Sequence, residues 1–89
     1  MRQPAPRMIV VTLKLFAVYQ DVLGVPDMVM ELPAEITVGE LCDRICTQHP
    51  DLKQWRGLTR FGINLQFVEA DTCLSDGDEV VFIPPVSGG

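Results

Sequence analysis

Three groups of residues in this 89-residue chain have types and spacings that could do chemistry. Cys42, Cys46 and His49 stand four and then three positions apart, which brings them together on one helical face, where they could offer ligands to a metal. Zinc would need a fourth ligand, and structural sites usually draw ligands from two separate elements. The expected role of Cys42 and Cys46 is therefore apolar packing, with His49 at the fraying helix end and no metal bound. Asp76, Asp78 and Glu79 gather carboxylates ahead of the last apolar run, without EF-hand spacing or a further oxygen ligand, and read as a solvated turn. The single histidine has no nucleophile and acid placed with it by any motif, and no P-loop, Gly-x-Ser-x-Gly or Gly-x-Gly-x-x-Gly stretch occurs. A self-sufficient enzyme is not expected.

The third group is the run Pro84-Pro85-Val86-Ser87-Gly88-Gly89. Prolines lock φ and favour an extended polyproline path, so this run leaves the last strand as a stiff stalk. Six extended residues reach about 20 Å. Gly88 and Gly89 have no side chains, so they can thread a narrow tunnel and adopt backbone angles closed to other residues. The carboxylate of Gly89 is then an unhindered acyl group that can be delivered into another protein's active site. Two glycines alone carry little; joined to Phe82-Ile83-Pro84-Pro85-Val86-Ser87 they form a distinctive arrangement.

The elements that must position this tail follow from periodicity. Met8–Phe16 alternates Ile9, Val11, Leu13 and Leu15 with Val10, Thr12, Lys14 and Phe16, a strand with one fully apolar face and one mixed face. Asp21, Gly24 and Pro26 predict a turn across 20–26, and Asp27–Leu32 a second strand closing a hairpin. Thr37-Val38-Gly39-Glu40 is a capping box, with Ile36 and Leu41 spaced as a hydrophobic staple. The helix it opens buries Val38, Leu41, Cys42, Ile45 and His49 and stops at Pro50. Residues 50–60 read as an irregular connection tucking Leu52, Trp55 and Leu58 under the sheet. Phe61–Asn64 and Gln66–Glu69 are short strands, Ser75–Asp78 a turn, and Glu79–Ile83 a final, central strand. The order is α+β: one main helix across one face of a mixed four- to five-stranded sheet, the ubiquitin-like β-grasp. Residues 1–7 read as a flexible extension, 8–83 as the domain and 84–89 as the tail.

Twelve acidic and seven basic side chains give a net charge of −5. That balance excludes the usual nucleic-acid binder, which neutralises phosphates with clustered Lys and Arg, and an anionic membrane surface; a partner that docks electrostatically is expected to be basic. No stretch approaches the ~20 apolar residues of a membrane span. Three cysteines are too few, and odd in number, for a disulfide scaffold, so a reducing cytoplasm is the expected location.

The run Ser75-Asp76-Gly77-Asp78-Glu79-Val80-Val81-Phe82-Ile83-Pro84-Pro85-Val86-Ser87-Gly88-Gly89, with Ile63-Asn64 and Leu15-Phe16-Ala17 upstream, resembles the small, sulfur-carrying subunit of molybdopterin synthase, the MoaD family. The resemblance covers residues 8–89; the helix cysteines lie outside the family motif and residues 61–70 diverge most. It implies a non-catalytic carrier. A partner enzyme uses ATP to adenylate Gly89, sulfur replaces AMP to leave a glycyl thiocarboxylate, and the large synthase subunit moves that sulfur to cyclic pyranopterin monophosphate. It implies no cofactor bound to this chain, two carriers per large-subunit dimer in a heterotetramer, and an apolar docking patch at Phe16, Phe67 and Ile83. Pro84, Pro85, Val86, Ser87 and Gly88 would thread the partner's active site. The same fold also carries protein modifiers joined to lysines, and sulfur donors for tRNA thiolation or thiamin, and these remain alternatives.

Overall fold

A computed structural model describes residues 7–85. Five strands and a main helix run in the order β1 Met8–Leu15, α1 Val18–Leu23, β2 Asp27–Pro33, α2 Val38–Gln48, a 3-10 turn Pro50–Leu52 continuing into α3 Lys53–Arg56, β3 Arg60–Ile63, β4 Gln66–Val68 and β5 Glu79–Ile83. The sheet order is β2-β1-β5-β3-β4, with β1 and β5 parallel at its centre and the other pairs antiparallel. This is the mixed sheet crossed by one helix that the hydrophobic pattern predicts, with the two most apolar strands in the middle.

Alternation decides which face is covered. Ile9, Val11, Leu13 and Leu15 of β1, Val80 and Phe82 of β5 and Phe61 of β3 are buried beneath α2, which contributes Val38, Leu41, Cys42, Ile45 and Cys46. Phe82 stands at the centre, meeting Tyr19 and Phe61 edge-on at centroid distances of 5.3 and 5.6 Å.

The helix start forms as read. Thr37 accepts from the Glu40 N–H at 3.1 Å, and Glu40 accepts from the Thr37 N–H at 3.0 Å. That backbone N–H holds the Glu40 carboxyl below its usual range. Two further first-turn donors find partners in the segment ahead of β5: Val38 donates to the Thr72 carbonyl and Gly39 to that of Ala70, at 2.9 and 2.8 Å.

Four expectations are corrected. Residues 20–26 are not a simple turn: Val18–Leu23 is a helix ended by Gly24 at φ 78°. Asp21, Gly24 and Pro26 mark its end and exit, whereas Val18/Val22 and Tyr19/Leu23 form i, i+4 pairs, and Tyr19 is fully buried. Residues 50–56 are helical, and of the three apolar side chains in 50–60 only Leu52 is fully buried; Trp55 is half-buried and Leu58 exposed. His49 is half-buried, and Cys46 takes the buried position instead. Finally, the acidic turn at 75–78 is not merely solvated, because its carboxylates accept backbone donors. Asp76 accepts from the Val10 N–H at 2.7 Å, and Asp78 accepts from the Ser75 N–H at 2.8 Å and also from the Asn64 side-chain amide at 2.9 Å. The turn thereby anchors the start of β5 to both neighbouring strands.

Candidate functional site

The uncovered face of the sheet is the candidate docking surface, and strand register places its side chains. Lys14 stands beside Val81, Val81 opposite Gly62, and Gly62 opposite Phe67, a row across four strands. One step towards the end where the tail departs, Ile83 stands opposite Arg60. Phe16 follows Leu15, the register partner of Phe82, and so falls beside Ile83. Phe16 is 48% and Phe67 73% exposed, while Ile83 is half-buried. Large aromatic side chains left this open on a sheet face mark an interaction surface. The structure thus brings Phe16, Phe67 and Ile83 to one face.

Local sequence explains how they are presented. β4 pairs back on β3 through the two-residue turn Asn64-Leu65, whose φ values of 49° and 70° match the primed turns that suit the twist of a hairpin. Asn64 ties this turn to β5: its N–H donates to the Glu79 carbonyl and its side-chain oxygen accepts from the Glu79 N–H, both at 2.9 Å. Phe67 is thereby held on the open face beside Gly62, which has no side chain to fill the space between Phe67 and Val81. Phe16 precedes Ala17, whose φ of 50° is strained for a residue with a Cβ and turns the chain sharply from β1 into α1. Periodicity alone missed Val81, Gly62 and Arg60 as parts of this face. Val81 was detectable from its parity with Ile83; the other two required the β3–β5 register.

The tail root lies at the same end. Pro84 is buried and Pro85 exposed, so the stalk starts against the domain and turns outward at Pro85. Val86, Ser87, Gly88 and Gly89 lie outside the described residues.

The helix thiols belong to the core. The Cys42 sulfur lies 3.6 Å from the Tyr19 hydroxyl, which lies 2.6 Å from the Thr59 hydroxyl; Thr59 donates onward to the Trp55 carbonyl at 2.8 Å. The Cys46 thiol donates to the Leu52 carbonyl at 3.7 Å. Burial pushes the Cys42 thiol up to about 12 and lifts the Tyr19 hydroxyl well above the usual phenol range. Among the described residues, no three His, Cys, Asp or Glu side chains are grouped to hold a metal. Nor is any helix among them long and apolar enough to cross a membrane.

A labelling prediction follows from this burial. Iodoacetamide at pH 8 should modify the exposed Cys73 of the native chain and leave Cys42 and Cys46 untouched, with all three reacting in urea. Because the folded pKa of Cys42 is raised, its contribution to stability is whole below the unfolded thiol value and is lost as pH rises towards 12. Peptide mass mapping reads the outcome, and rapid native labelling of Cys42 would contradict the packing described.

Comparison with known proteins adds the family. The ThiS family matches residues 13–89, from the middle of β1 through the tail. The chain belongs to the ThiS family. A human protein named molybdopterin synthase sulfur carrier subunit is 35% identical over 77 residues, covering 83% of this chain and 88% of that protein. Among solved structures, SAMP1 from Haloferax volcanii aligns with a TM-score of 0.74 at 26% identity, covering 90% of this chain and 99% of that one. The ubiquitin of Caldiarchaeum subterraneum shares the fold, with a TM-score of 0.64 at 18% identity over 93% of this chain and 100% of that one. The ubiquitin-like β-grasp is therefore the fold of this ThiS-family chain, and the resemblance read from its tail signature is matched by the name of its human relative.

Proposed function

We propose that this chain is the sulfur carrier subunit of molybdopterin synthase. The observation that carries the reading is the shared identity with the human sulfur carrier subunit along most of both chains. An exposed aromatic patch placed beside the root of a Gly-Gly tail supports it.

In this reading Gly89 is the reacting group. Its carboxylate oxygen attacks the α-phosphorus of ATP on an adenylating partner, releasing pyrophosphate and leaving an acyl adenylate. A sulfide equivalent attacks the acyl carbon and AMP departs with its bonding electrons, so one carboxylate oxygen has been exchanged for sulfur. The thiocarboxylate is anionic at neutral pH, with a sulfur far more nucleophilic than the oxygen it replaced. Pro84, Pro85, Val86, Ser87 and Gly88 carry it into the large synthase subunit, where sulfur passes to cyclic pyranopterin monophosphate. A dithiolene holds two sulfurs, so two loaded carriers are consumed per product, and a heterotetramer of two carriers on a large-subunit dimer fits that count. The large subunit supplies acid–base groups and cations for the substrate phosphate. ATP acts only on the adenylating enzyme, and the cytoplasm is the setting.

Docking through the open face gives the test. Phe16→Glu places a charge within the patch, beside Ile83, and should weaken association with the large subunit at least about tenfold, while the melting temperature stays within about 2 °C. Titration calorimetry and a thermal melt measure both. Undiminished binding, or an unfolded variant, would remove Phe16 from the interface.

A further inference from the structure

We infer that the docking face reads a carboxylate on its partner through Arg60, at the end where the tail departs; this deepens the carrier reading and rests on it. The net charge of −5 describes the whole chain and suggests a basic partner, but the open face is not uniformly acidic. Glu79 and Glu31 lie at the end remote from the tail, beside the Asp76–Asp78 turn, with Glu79 close to Thr12 and Glu31 opposite Val10. Arg60 stands at the opposite end, level with Ile83, the last residue of β5 before the tail. Lys14 lies one row in, opposite Asp27 on β2.

Arg60 is exposed and forms no ion pair among the described residues. It lines a notch of about 590 Å³ where β3 and the chain after β4 splay apart, together with Phe67, Thr59, Arg56 and Glu69. Arg56 is already committed: its Nε donates to Asp43 at 2.7 Å, and its guanidinium lies 5.4 Å from the centre of the Phe61 ring. Lys14 is not ion-paired among the described residues either, but Arg60 is the unpaired cation level with Ile83, on a surface continuous with the aromatic patch through Phe67. A guanidinium is suited to a carboxylate, which it can hold through two parallel hydrogen bonds. The tail-accepting partner would then present an Asp or Glu at the mouth of its tail channel, opposite Arg60. The pair fixes the orientation in which the tail enters.

The sign of a charge reversal tests this. Association of the cognate large subunit with the full chain is followed by surface plasmon resonance at low and high salt, for wild type, Arg60→Glu, Arg60→Gln and Phe16→Glu. With a partner carboxylate, Arg60→Glu slows association about tenfold at low salt and less at high salt, as screening shortens the reach of the charge. Arg60→Gln slows it about threefold and guards against misfolding of the reversal. A partner basic throughout would bind Arg60→Glu faster, and that result, or equal rates, would overturn the assignment. Binding weakened by Phe16→Glu but unmoved by either Arg60 change would overturn it and leave the carrier reading standing. No binding by the wild type would overturn both.

Discussion

A chain lacking Gly89, or carrying one residue after it, is expected to melt with the parent and to transfer no sulfur. The fold should survive because the hydrophobic core is built from residues between Ile9 and Phe82, and the final covered proline is Pro84. The chemistry should not survive, because the acyl group must reach a reacting centre through a narrow channel, and without Gly89 the terminal carboxylate of Gly88 stops about 3.5 Å short. An added residue moves the carboxylate about 3.5 Å further along and gives the adenylating enzyme a different acid to activate. Reconstituted synthase with each variant measures it. Transfer at the parent rate by either would remove Gly89 from the mechanism, whereas a lowered melting temperature would give the tail a structural role.

Gly39→Ala is expected to destabilise the domain by about 1–3 kcal/mol, the usual cost of overpacking. Helix propensity alone predicts the opposite sign, since alanine is favoured over glycine by roughly 1 kcal/mol inside a helix. Contact decides against propensity. A Cβ at Gly39 would lie 2.8 Å from the Ala70 carbonyl oxygen and 3.0 Å from both the Ala70 Cβ and an Arg56 guanidinium nitrogen. The carbonyl is backbone and already accepts from the Gly39 N–H, so relief requires moving the 69–73 segment and loosening the caps on α2. A thermal melt should show a midpoint lower by about 4–24 °C. An unchanged or raised midpoint would mean that the segment yields easily.

Gly39 also marks the boundary of what sequence could reveal. The capping box around it was legible, because Thr37 and Glu40 satisfy each other within four residues. The reason for glycine was not, because Ala70 is distant in sequence and approaches only in the folded chain. The same division runs through the rest of the molecule. Strict alternation identified β1 and the central position of β5, and the buried row of β1 left Phe16 for the open face. The α1 helix was hidden because Asp21, Gly24 and Pro26 are equally the residues of a turn, while Tyr19, which needs Thr59 and Cys42 as partners for its hydroxyl, gave no local sign of burial. Arg60 carries no pattern of its own in the sequence, and only the β3–β5 register sets it level with Ile83. The net charge concealed it further, since it sums over a surface on which Glu31 and Glu79 lie at the end remote from Arg60.

The carrier reading stands or falls on one chemical change at Gly89, and intact-protein mass measures it directly. The chain is incubated with its cognate adenylating enzyme, ATP and a sulfur source, and weighed beside the form lacking Gly89. The expected result is a gain equal to the exchange of one oxygen for one sulfur, absent from the shortened form. An unchanged mass with an enzyme shown to be active, or a product joined through Gly89 to a lysine instead, would contradict it.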